Sequence, residues 1–187
     1  MSISGCSQRT DSTASEQAQI APPLLASVDP GEQERIVAAK DALFGKLSGR
    51  LMEVLQTQGP AAAIMVCSQE APQFAQQVGE DHQLSIGRTS EKLRNPKNVG
   101  PDWLKPVLLT RPMEPQFFQL AHGGTGAVFP IKLQATCMLC HGPEEMILDE
   151  VKAELAKYYP GDRAKGYQEG DLRGWFWIDM PASTDTQ

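Results

Sequence analysis

Residues 137–141 read Cys-Met-Leu-Cys-His. Two thiols separated by two residues, with an imidazole directly after the second, can add to both vinyl groups of one haem while the histidine reaches its iron. The spacing predicts one covalent haem c, linked through Cys137 and Cys140, with His141 as the proximal ligand. Two other chemistries use Cys-x-x-Cys. A zinc site would need two more ligands from the three histidines and a distant thiol. A dithiol of the thioredoxin kind belongs beside a βαβ pattern, which this sequence lacks.

The sixth coordination position decides what such a haem can do. Cys67, His82, His122 and the methionines are candidates, above all Met180 in Asp179-Met180-Pro181-Ala182. That setting resembles the ligand loop of small electron-transfer cytochromes c, but there the attachment motif lies near the N-terminus, and here it follows most of the chain. Met180 reads more readily as a strand-end residue filling a gap in a core. His82 stands in a polar run, and His122 beside Gly123 and Gly124 reads as a turn residue. Cys67 lies on the apolar face of a helix, where a cysteine ordinarily behaves as a small hydrophobe.

Several elements must position these groups. Asp29-Pro30-Gly31-Glu32 is a helix start, and Ile36, Ala39, Leu43, Leu47, Leu51 and Val54 recur on one face until Gly59-Pro60 stops it. Gly45 and Gly49 interrupt this helix, which costs helix propensity unless a helix or a haem packs close. A second helix is expected from Pro60 through Cys67, with a restart marked by Ser68 and Pro72. Residues 84–89 alternate as a strand, 93–98 read as a loop, and Asp102 is placed to cap a short helix through Leu108. Phe117–Ala121 and Val128–Leu133 flank Gly-rich residues 123–126, the pattern of a hairpin. Pro143-Glu144-Glu145 is read as opening a helix that carries Ile147, Val151 and Leu155 and ends at the Pro160-Gly161-Asp162 turn, and residues 172–178 as a closing strand. Helices followed by antiparallel strands indicate an α+β fold.

From about Ile36 to Met180 the chain resembles a family of bacterial c-type haem domains with a PAS-like fold, the Tll-type haem domain. The matching stretches are Ala63-Ile64 to Pro72, Ile86 to Ser90, Lys92 to Asn98, the Cys137 to His141 motif, and Tyr159-Pro160 through Tyr167 to Gly174. The resemblance implies a PAS-like antiparallel sheet with N-terminal helices flanking the haem, and a cysteine at the position of Cys67 as second axial ligand. His141 and Cys67 are then the two metal ligands. A thiolate ligand favours ferric iron, so a low potential is expected. Arg88 and Arg94 flank the restricted loop and suit the haem propionates, because guanidinium pairs with carboxylate in two-pronged fashion; each also reads as a solvated surface charge.

With 187 residues, 41% of them hydrophobic, the chain suits one domain, taken as residues 29–187 after a polar tether of residues 1–28. The net charge of -6 argues against nucleic acid or an anionic membrane surface as a partner. Ile3-Ser4-Gly5-Cys6 resembles the end of a bacterial lipoprotein signal, though a chance cysteine in a Ser-rich tail reads the same. The expectation is a periplasmic protein, touching a membrane only through a lipid anchor at Cys6. With both axial positions filled an enzyme is disfavoured, and a redox or ligand sensor is expected. Relatives are often fused to signalling output domains, and none is evident here, so the sensor implies a separate redox or signalling partner protein. The alternative is a periplasmic electron-transfer cytochrome.

Overall fold

A computed structural model of the chain describes residues 23–182. Cys6 and the start of the polar tether lie outside them. The expected tether reaches residue 28, yet its end already belongs to the sheet, because strand β1 (Leu24–Leu25) pairs antiparallel with β3 (Gln116–Gln119).

Helix α1 (Pro30–Gln58) starts where its sequence signals place it: the Asp29 carboxylate accepts from the Gly31 amide at 2.9 Å, satisfying a donor that has no partner within the helix. Ile36, Ala39 and Leu43 are fully buried against the sheet. A Cβ on Gly45 or Gly49 would meet nothing within 4 Å, so no neighbouring helix accounts for these glycines.

Helix α2 (Pro60–Met65) does not stop and restart. It passes through a π-helical turn (Val66–Glu70) into α3 (Ala71–His82). Pro72 has no amide to offer, and the Ala71 amide instead reaches back five residues to the Val66 carbonyl. The turn thus adds one residue where Cys67 stands.

Strand β2 (Ser85–Thr89) follows, then a loop and helix α4 (Leu104–Leu108). Asp102 does not cap α4 through its side chain; its carboxylate pairs with Lys105. The hairpin turn is tighter than its glycines suggest, for β4 (Thr125–Lys132) begins before Gly126. Gly126 lies where a side chain would strike Leu120 and Trp103, so it serves packing rather than the turn. After helix α5 (Met138–His141) comes only a 3₁₀ turn at Glu144–Met146, and helix α6 runs from Asp149 to Tyr158. The expected start at Pro143 is therefore six residues early, because Ile147 and Leu148 are extended. Strand β5 (Leu172–Met180) closes the fold.

The fold is α+β, with one five-stranded antiparallel sheet in the order β1-β3-β4-β5-β2. One face packs on α1 and α3 through Ile86, Ala127, Phe129, Phe176, Ile178 and Met180. The other face covers α4 with Phe118, Val128 and Trp175. Among the described residues no helix is long and apolar enough to cross a membrane.

Candidate haem site

The motif follows β4 directly. Ala135–Cys137 form a 3₁₀ turn that runs into α5, so Cys137 and Cys140 stand three residues apart on one helical face. Cys137 packs toward Leu133, Ala164 and Tyr167, and Cys140 toward Ile64, Ile147 and Val151. Both are free thiols and partly buried, as is Cys67. Burial pushes the Cys140 thiol up to about 11 despite the opposing charge of Arg94. It is a protonated thiol at neutral pH.

His141 is held from one side. Its Nδ1 lies 2.7 Å from the Ala164 carbonyl oxygen, so Nδ1 carries the proton and donates it, and the lone pair of Nε2 is free for a metal. Burial first, and then the charges of Arg94 and Arg173, hold the imidazole well below its ordinary range, which keeps it neutral. The Tyr167 ring stands edge-on to it at 6.3 Å.

The loop after α6 carries the backbone that clasps α5. Tyr167 N–H donates to the His141 carbonyl at 3.0 Å, and Gly166 N–H to the Gly142 carbonyl at 2.8 Å. Arg94 ties the loop to the motif: its Nε donates to Asp162 Oδ2 at 3.1 Å and its Nη2 to the carbonyls of Cys140 and Ala164. Arg94 and Asp162 are 6% and 5% exposed, so the pair is buried and neutralises itself. Of the Arg94 guanidinium, expected at a propionate, Nε and Nη2 are engaged by Asp162 and by backbone carbonyls.

Cys67 comes to the same place from the π turn, one turn beyond Ile64, which packs with Ile147 and Val151 beside Cys140. Its nearness contributes to the raised values of Cys140 and of the Tyr159 phenol, whose hydroxyl is pushed up to about 12, by burial first and by Cys67 second. Arg88, on β2, acts on His141, Tyr159 and Arg173. The six expected site residues therefore lie in one region of the fold. The other candidate ligands do not. Met180 is 1% exposed in the core at the far end of β5, roughly 23 Å along the strand from Arg173. His122 sits in the hairpin turn, bonded to Asp179, and His82 ends α3.

Sequence reasoning misses Asp162, Ala164, Tyr159, Tyr167 and Arg173. The available signal is Arg173, a charge set among Leu172, Trp175, Phe176 and Trp177 in a strand that has to be buried.

A haem suits this set. One His lone pair is left open, two thiols share a helical face beside it, and a buried guanidinium nitrogen, Arg173 Nε, lacks a hydrogen-bond partner. Among the described residues no three His, Cys, Asp or Glu side chains converge as a metal cage.

The sequence model described as Tll0287-like matches residues 8–181. Among solved structures, that of the cyanobacterial heme-protein Tll0287 superimposes with a TM-score of 0.65 at 23% identity, covering 85% of this chain and 100% of that one. No curated protein matches the chain.

Proposed function

The chain belongs to the Tll0287-like family, and on that premise we propose that it is a c-type haem protein, linked through Cys137 and Cys140 and ligated by His141 and Cys67. The observation that carries this reading is the His141 ring, locked by Ala164 so that Nε2 is presented beside two thiols on one helical face. The likeness to a cyanobacterial heme-protein supports it.

The haem when bound supplies a one-electron couple between ferric and ferrous iron. The chain's own residues set how that couple behaves. Cys67 offers an anionic sulfur, which favours the ferric state and lowers the potential. His141 stays neutral, so no proton has to leave before it ligates. Arg94 and Asp162 fix the backbone of the motif. If His141 and Cys67 both hold the iron, no position is left open for a substrate, so the domain would serve as a redox or ligand sensor rather than an enzyme and report to a separate protein partner. The periplasm is its compartment, since c-type haem is attached after export, and Cys6 is the residue for a lipid anchor.

The test is chemical. Protein made with a c-type maturation system retains its haem through acid-acetone extraction, and its ferric EPR spectrum is that of low-spin thiolate-ligated haem. Complete release of the haem would end the proposal, and a His/Met spectrum would favour an electron-transfer cytochrome.

A further inference from the structure

β4 and β5 pair in step from Thr125 and Met180 as far as Ile131 and Gly174, but Lys132 then pairs with Leu172, leaving Arg173 unmatched. Arg173 is thus the extra residue of a β-bulge, a device that redirects a side chain out of the strand's alternation. Leu172 and Trp175, three residues apart, accordingly pack into one apolar cluster.

The bulge is pinned by its surroundings. A Cβ on Gly174 would overlap the Thr89 carbonyl oxygen. Ser90 Oγ donates to the Arg173 carbonyl at 2.6 Å, and Arg173 Nη1 donates to the Lys92 carbonyl at 3.3 Å. The guanidinium carbon lies 5.8 Å from the centroid of the Tyr167 ring, the same ring that meets His141 edge-on. One aromatic side chain therefore bridges the redirected cation and the imidazole.

Arg173 Nε is buried and has no hydrogen-bond partner. Among the described residues neither Arg88 nor Arg173 has an acidic group within 4.0 Å, whereas Arg94 has Asp162. A guanidinium taken out of water without an anion is costly, and the anion it prefers is a carboxylate held by two parallel bonds. Arg173, which shares the Tyr167 ring with His141, and Arg88, on the strand next to β5, equal in number the two propionates of one haem.

We propose that Arg173, extruded by the bulge, is the anchor for a haem propionate, with Arg88 as the second cation, and that Arg94 is a positioning residue for the motif backbone. This rests on the haem reading above. The bulge delivers Arg173, which accounts for an unpartnered buried Nε and an irregular register together.

Haem-loaded wild type, Arg173→Gln and Arg173→Lys are compared by resonance Raman spectroscopy and by potentiometry at pH 8. In Arg173→Gln the propionate bending band shifts and the midpoint potential falls, because a propionate left without its cation favours ferric iron. Arg173→Lys restores the potential while the band stays shifted, since an ammonium is a point charge without the planar fork. Should Arg173→Gln not fold, Arg173→Lys decides alone: an unshifted band overturns the proposal. Wild-type band and potential in Arg173→Gln, with haem still attached, likewise overturn it and leave the haem reading standing. A wild-type chain that takes up no haem fails at the earlier step, and the two failures are separable.

Discussion

The Ala164 carbonyl fixes one nitrogen of His141, and Cys67 approaches the same space from a different element. If Cys67 is the distal ligand, Cys67→Ser turns the ferric absorption spectrum high-spin or recruits another residue, and the midpoint potential rises because the anionic sulfur has gone. Met180→Ala is the contrasting change. It opens a cavity in the main core and costs about 2–5 kcal/mol in denaturant unfolding, while the haem spectrum stays as it was. The Arg94–Asp162 pair is testable in the same way. Asp162→Ala leaves a buried guanidinium uncompensated and removes an acceptor from the Ala164 amide, so unfolding of the haem-loaded protein should show a loss of about 3–5 kcal/mol. Surface pairs such as Lys157–Glu154, removed as controls, should change stability by less than about 1 kcal/mol.

Elements place these residues through two irregularities, the π turn at Cys67 and the bulge at Arg173. Gly174→Ala attacks the second. With backbone on the other side of the would-be Cβ, the strand must shift, and thermal unfolding should register a loss of about 1–3 kcal/mol. The Cys-x-x-Cys-His motif is legible in the sequence because its three residues lie within five positions, and α1 is legible because a cap, a proline and an apolar stripe agree along its length. Asp29→Ala should accordingly cost about 1 kcal/mol. The irregularities are not legible. A π turn looks like a helix ending and restarting around Pro72, and a bulge looks like ordinary alternation until the partner strand is known. The role of Arg94 in holding the motif is hidden for a related reason, since Asp162, its partner, lies 68 residues away. The separated stretches that carry the family resemblance turn out to be neighbours: the Lys92–Asn98 loop, the haem motif and the segment from Tyr159 to Gly174 meet around His141.

At the scale of the whole molecule, the sheet order sets when the site can close. β5, the last strand of the described fold, lies between β4 and β2, and pairing it joins residues nearly a hundred positions apart. Export, on the proposed reading, threads this chain through a channel in extended form. A chain crossing N-terminus first delivers Cys137, Cys140 and His141 about thirty residues before Leu172. For that interval β2 has no partner, and the motif is presented on an open, unassembled scaffold. A version ending at Asp171 should therefore show no cooperative melting by circular dichroism, yet still be recovered with haem bound covalently. Vectorial delivery would make the attachment step a race against the arrival of one strand, with the slow, long-range closure of the sheet holding the window open.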